Sequence, residues 1–139
     1  MKITLCSSSR FFDRLPEIKK ELEELRYEVF LPSMVDYHHL EETALTKKMY
    51  GLIEDHFSKI DKSDAIYIAN FDKNNIKGYI GGSAFMEMGL AFYKKIPIFL
   101  LNEIPKGLNY REELIALQPI VIGKDWKKLD KILKNNSNI

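Results

Sequence analysis

The chain has 139 residues, 45% of them apolar, and a formal net charge of +1; that is one domain of ordinary size, able to build a core without disulfides or metals. Acids and bases are interleaved, which excludes a clustered basic track for nucleic-acid phosphates and a basic membrane-surface stretch. Cys6 is the single cysteine, so no intramolecular disulfide forms and no cysteine-based zinc site is expected.

The opening segment KITLC reads as a short buried strand. It runs straight into polar SSSRFFDR and is too short for the apolar region of a signal peptide. No apolar run approaches the roughly 20 residues that span a bilayer, so the expectation is a cytoplasmic protein in a reducing compartment. After SSSR a helix is expected, because Leu15, Ile18, Leu22 and Leu25 recur at helical spacing and Pro16 suits a first turn. YEVFLP reads as the second strand, stopped by Pro32.

Residues 33–42 read as irregular, with Tyr37, His38 and His39 inside; beside Glu41 and Glu42 these histidines fit no familiar metal-ligand spacing, and a polar surface loop is the better reading. A longer helix is predicted from about Glu42 to Lys62, with Leu45, Met49, Leu52, His56 and Ile60 on one stripe. AIYIANF is a near-continuous β-branched and aromatic run, as expected of a strand buried on both faces. DKNNIKGYIGG is a glycine-rich loop, SAFMEMGLAFYKK a helix and PIFLL the fourth strand. Residues 103–118 hold a loop and one or two helical turns. PIVI is a fifth short strand and DWKKLDKILK a last amphipathic helix, anchored by Trp126.

This alternation predicts an α/β fold: a single-domain, doubly wound, flavodoxin-like or Rossmann-like sheet of five parallel strands with helices on both faces. Its expected order is 2-1-3-4-5, an order that follows from the fold class. Residues 1–135 form the domain and 136–139 a frayed polar tail. Ligands in such sheets bind beyond the carboxyl ends of the strands where the order reverses. Two loops meet there: Ser7, Ser8, Ser9 and Arg10, and the stretch from Asn70 to Ser83. The first loop either supplies backbone N–H groups, hydroxyls and a guanidinium for an anion, or only turns the chain and caps the helix. No GxGxxG is present, so a dinucleotide site is unsupported. In the second loop Gly78, Gly81 and Gly82 permit close approach of a ligand. Ser83 reads as an N-cap, which puts Glu87 in the first helical turn. A carboxylate there is stabilised by the helix dipole and is suited to covalent attack on a sugar carbon; the plainer reading is an acid that only steadies the helix.

The stretch HFSKIDKSDAIYIANFDKNNIKGYIGGSAFMEMGLAFYKKIPIFLL, residues 56–101, resembles the core signature of the nucleoside 2-deoxyribosyltransferase-like superfamily, and most closely its GYIG-containing subgroup. The opening KITLCSSSRFFDR and RYEVFLP resemble the start of that family as well. The resemblance implies cleavage or exchange of the N-glycosidic bond of a 2-deoxyribonucleoside or its 5′-monophosphate. Glu87 holds the place of the nucleophile that attacks C1′, and a second base or water then takes the sugar. Asp64 matches the acid before the third strand, either as a catalytic residue or as a structural one that holds the helix-to-strand turn. Ser83 would touch a sugar hydroxyl or phosphate, Tyr79 would stack on the base or sugar, and Asn70, Gly81 and Gly82 would line the pocket. Two positions depart from the pattern: Gly81 stands where an acid is usual, and His56 where an aspartate is usual. His56 either does acid–base work or is a half-buried histidine on its apolar stripe.

The resemblance implies a small-molecule nucleoside or nucleotide as partner, no cofactor, no metal, no nucleic acid and no membrane. It also implies a homo-oligomer, a dimer or higher, in which a neighbour completes the pocket; Met86, Met88, Leu90 and Phe92 make the Glu87 helix apolar on more than one side. Three readings stand: a transferase or N-glycosidase using Glu87, a catalytically impaired nucleotide-binding module on the same scaffold, and a related glycosidase acting on a different nucleotide such as an ADP-ribose compound.

Overall fold

The structure is a computed structural model and describes residues 1–33, 47–48 and 51–137. Strand β1 (Lys2–Cys6) leads through a 3-10 segment (Ser9–Arg14) into helix α1 (Leu15–Glu24) and strand β2 (Glu28–Phe30). Helix α2 (Leu52–Asp61), strand β3 (Ala65–Ile68), helix α3 (Gly82–Tyr93) and strand β4 (Ile98–Leu100) follow. Helix α4 (Arg111–Ala116), strand β5 (Ile120–Val121) and helix α5 (Trp126–Ser137) complete the described elements. The five strands form one parallel sheet in the order β2-β1-β3-β4-β5, which is the expected doubly wound α/β order.

Alternation along each strand divides the core between the two faces. Ile3 and Leu5 of β1, Ala65 and Tyr67 of β3, and Phe99 of β4 pack with Leu15, Ile18 and Leu22 of α1 and Leu129 and Leu133 of α5. Their neighbours in sequence, Cys6, Ile66, Ile68, Ile98 and Leu100, pack with Ile60 of α2, Ala84, Met88 and Ala91 of α3, and Leu114 of α4. Both faces are covered, which is why the strands read as unbroken apolar runs. Each large aliphatic side chain so buried contributes about 1.5–3 kcal/mol. Trp126 packs edge-on against Tyr67 at 5.2 Å between ring centroids, so it anchors the last helix as expected. That helix runs on to Ser137, past the expected stop at Lys134.

Two helices end in the same way. Arg26 and Lys95 adopt left-handed φ of 69° and 61°. The next amides, of Tyr27 and Ile96, reach back to the carbonyls of Leu22 and Ala91, a Schellman closure made without glycine. Each closure turns the chain directly into the following strand.

The expected single helix from Glu42 to Lys62 does not form. Gly51 sits at φ 58°, a left-handed conformation that closes off a right-handed helix on its N-terminal side and that glycine adopts at little cost. Helix α2 therefore starts at Leu52, although Lys47 and Lys48 are themselves helical. Leu45 and Met49 of the proposed stripe, and Tyr37, His38, His39, Glu41 and Glu42, lie outside the described residues. No described helix is long and apolar enough to cross a membrane.

Candidate active site

Strand β1 pairs with β2 on one side and β3 on the other, so the sheet's direction of growth reverses between β1 and β3. A hollow of about 350 Å³ opens there, beyond the carboxyl ends of both strands. That volume lies within the range for small-molecule sites. Ser7, Ser8 and Ser9 form one wall, Tyr79, Gly81, Gly82 and Ser83 another, and His56 and Glu87 reach in from α2 and α3.

The wall after β3 is shaped by its backbone. Asn74 and Asn75 have φ of 54° and 64°, and Lys73 and Ile76 exchange N–H···O bonds across them. This is a two-residue reversal in the sense that asparagine tolerates best. It turns Lys73 back so that Nζ lies 3.0 Å from Ser8 Oγ and 5.1 Å over the Tyr79 ring. Gly78 has φ 68°, and a Cβ there would lie 2.6 Å from the Glu103 carbonyl oxygen; no other residue fits. On the opposite rim Lys47 Nζ is 3.0 Å from Ser83 Oγ. Two ammonium groups thus flank the mouth, on either side of hydroxyl-bearing loops.

Glu87 lies deeper than the sequence reading put it. Helix α3 begins at Gly82 with Gly81 as its N-cap, no side chain caps it, and its first turn holds no acid. Ser83 is therefore not the cap, and Glu87 stands in the second turn, where the dipole effect has largely fallen away. Burial dominates instead. The carboxyl is 13% exposed, and desolvation pushes its pKa up to about 7, against the opposing pull of a Cys6 hydrogen bond and the charge of Lys47. Near neutrality the group is divided between acid and carboxylate, not the fully ionised carboxylate that a helix start would hold.

Cys6 and His56 surround it. Cys6 Sγ lies 3.4 Å from His56 Nε2, and His56 Nε2 lies 3.6 Å from Glu87 Oε2. Burial holds the Cys6 thiol well above its ordinary pKa, and the Glu87 charge adds to this. Burial also lowers His56 to about 4, with Lys59 helping and Asp55 opposing. The imidazole is neutral at pH 7, so its approach to Glu87 is not an ion pair. Of the two expectations for His56, this environment favours the buried histidine of the apolar stripe: desolvation, not the intrinsic pKa, governs it.

Three further expected residues stand elsewhere. Asp64 is exposed at the opposite, amino end of β3, where its carboxylate accepts the Lys2 N–H at 2.7 Å; it holds the helix-to-strand turn. Asn70 is buried and its side chain ties two loops together: Nδ2 donates to the carbonyls of Gly78 and Asn102, and Oδ1 accepts the Asn102 N–H. Arg10 is exposed on the 3-10 segment, outside the walls of the hollow. The structure brings Ser7, Ser8, Ser9, His56, Tyr79, Gly81, Gly82, Ser83 and Glu87 together, and adds Lys47, Lys73 and Cys6, which the sequence reading passed over. The Asn-Asn pair was the available signal for Lys73, since it announces a tight reversal between Lys73 and Ile76.

Among solved structures, a conserved protein from Enterococcus faecalis V583 superposes with a TM-score of 0.56 at 17% identity, covering 98% of each chain. A CMP N-glycosidase of Clostridium botulinum gives 0.50 at 15% identity, covering 95% of this chain and 98% of that one. The chain shares the α/β fold of both. A 2-deoxyribosyltransferase from Bacillus psychrosaccharolyticus aligns over 72% of this chain and 71% of its own, at 19% identity and a TM-score of 0.49. No protein-family model matches the chain, and no curated protein matches it in sequence. In this fold the hollow lies where α/β sheets of the doubly wound kind bind ligands.

Proposed function

We propose that the chain cleaves or exchanges the N-glycosidic bond of a 2-deoxyribonucleoside 5′-monophosphate, with Glu87 as nucleophile. The observation that carries this reading is a buried carboxyl opening onto a nucleotide-sized hollow at the sheet's switch point. A carboxylate oxygen of Glu87 attacks C1′ as the bond to the base breaks. The base leaves with the bonding pair and takes a proton from solvent, and water or a second base then resolves the glycosyl ester. An oxocarbenium-like transition state is cationic, so a carboxylate held without water beside it is stabilising there. Tyr79 covers the base or sugar. The name of the Clostridium botulinum neighbour, a CMP N-glycosidase, agrees with a nucleotide substrate. A second copy of the chain would close the rim where Ile53 and Met86 are exposed.

The two lysines favour the monophosphate over the free nucleoside. A phosphate between Ser8 and Ser83 would receive charge-assisted hydrogen bonds from Lys73 and Lys47. Lys73→Ala is expected to raise KM for a deoxynucleoside 5′-monophosphate by about tenfold or more, the equivalent of one lost charged hydrogen bond, while leaving the unphosphorylated nucleoside within about twofold. Equal losses for both substrates would place the phosphate elsewhere.

The test of the function itself is a panel of 2′-deoxynucleosides and their 5′-monophosphates, with and without a second base, followed by chromatography of free and exchanged bases. Release or exchange of base supports the reading. Saturable nucleotide binding with no base released would establish the second reading, a binding module, which the glycine at position 81 and the half-protonated Glu87 favour.

A further inference from the structure

Cys6, His56 and Glu87 have a geometry that glycosyl transfer does not require. Sγ, Nε2 and a carboxylate oxygen lie within 4.8 Å of one another, and no other such group of three occurs among the described residues. Cys6 is fully buried, His56 is 6% exposed and Glu87 13%. Glu87 Oε2 is buried with no hydrogen-bond partner among the described residues, and so is His56 Nδ1. A buried, unsatisfied carboxylate oxygen costs free energy and calls for an ion or other missing partner. We propose that Cys6, His56 and Glu87 form a three-ligand site for Zn²⁺, with its fourth position open to the hollow.

The two separations from His56 fit a tetrahedral ion. Zinc bonds of about 2.0–2.3 Å at tetrahedral angles place sulfur and nitrogen about 3.6 Å apart and nitrogen and oxygen about 3.3 Å apart; the observed separations are 3.4 Å and 3.6 Å. Thiolate, imidazole and carboxylate together select zinc over the oxygen-seeking magnesium and calcium. One thiolate, one carboxylate and a neutral imidazole cancel the charge of a divalent ion, which removes the chief obstacle to burying it. The three side chains come from β1, α2 and α3, and their meeting follows from strand alternation: Cys6 lies on the face that packs against α2 and α3. His56 and Glu87 also line the hollow, so water or an added ligand has access to the fourth position. A zinc-bound Glu87 has its negative charge drawn to the ion and is a poor nucleophile toward C1′; on the reading of the preceding section, zinc is therefore an inhibitor that competes with substrate.

The experiment uses Co²⁺ as a spectroscopic stand-in. The chelator-stripped protein is titrated with Co²⁺, and then with Zn²⁺ to displace it. The expected result is one ion per chain, visible bands of tetrahedral cobalt, and a near-ultraviolet sulfur-to-cobalt band lost on adding Zn²⁺. Cys6 is the only cysteine, so a thiolate band has one possible source even if Cys6→Ser does not fold. Glu87→Gln, nearly isosteric, is expected to weaken metal binding by more than about tenfold, the scale of loss from outer partners alone. Cobalt bound to folded wild type without a sulfur band, or equal Zn²⁺ affinity in folded Cys6→Ser, would overturn the proposal. A protein that binds no metal yet releases base overturns this inference alone; one that binds metal but, once stripped by chelator, releases no base overturns the function alone.

Discussion

Glu87→Gln is expected to lower kcat for nucleotide cleavage by at least about a thousandfold, as removal of a covalent nucleophile does elsewhere, and to leave KM nearly unchanged. Glutamine keeps the shape of the side chain but has no lone pair of comparable basicity to offer C1′. A peptide carrying a deoxyribosyl adduct at Glu87, trapped from wild type and absent from the variant, would make the assignment direct. Undiminished turnover in Glu87→Gln would remove the carboxyl from the mechanism.

The same side chain sets the pH dependence. Only the carboxylate attacks, and burial pushes Glu87 up to about 7. The ratio kcat/KM should therefore rise about tenfold per pH unit below 7 and level off above it. Stability runs the other way. The folded protein holds the Glu87 proton more tightly than the unfolded chain, whose value is near 4.5. The stability that this supplies is complete below about 4.5 and is lost as pH rises through about 7. His56, lowered to about 4, has the opposite sign: its contribution is present above 6.5 and lost as pH falls through about 4. Whole-protein melting curves mix the two. The difference between wild type and Glu87→Gln isolates the carboxyl, so the variant should gain on wild type as pH goes from 5 to 8. The protein is thus expected to be most active where this carboxyl destabilises it most.

The parallel α/β class was readable because apolar runs alternate with amphipathic segments; the strand order came with that fold class and not from the pattern itself. Boundaries were less readable. YEVFLP and AIYIANF shrink to Glu28–Phe30 and Ala65–Ile68, since an apolar run continues into buried loop at Ala69, Asn70 and Phe71. The Glu42–Lys62 stripe looked continuous because a periodic pattern does not register one residue's φ, and Gly51 was passed over. The environment of Glu87 was misread: starting α3 at Ser83 moved the carboxyl toward the dipole, whereas its surroundings come from Cys6, His56 and the sheet. That cluster needs three elements in register and cannot be read from spacing in one dimension. Asp64 and Asn70 spend their side chains on backbone, Asp64 in the structural manner that was one of its two readings.

Asn70 is expected to act on the proposed activity through the shape of the site. Its side chain is 2% exposed. Nδ2 donates to Gly78 O at 3.2 Å and Asn102 O at 2.8 Å, and Oδ1 accepts Asn102 N–H at 2.9 Å. Its own carbonyl accepts Asn102 Nδ2 at 2.9 Å. The loop after β3, which carries Tyr79 and leads into α3, is pinned through this side chain to the loop after β4. Asn70→Ala strands buried backbone groups, each at a cost of about 1–3 kcal/mol, so denaturation should show a loss of about 3 kcal/mol or more. Asn70→Asp keeps the shape but turns an acceptor toward two carbonyls; it should be at least as damaging at neutral pH. Because Gly78 and α3 move with this tie, kcat should fall along with stability in both variants. A residue that only touched substrate would behave differently: Asn70→Ala would raise KM and leave the denaturation midpoint in place. Loss of stability with KM nearly constant is what the buried geometry requires.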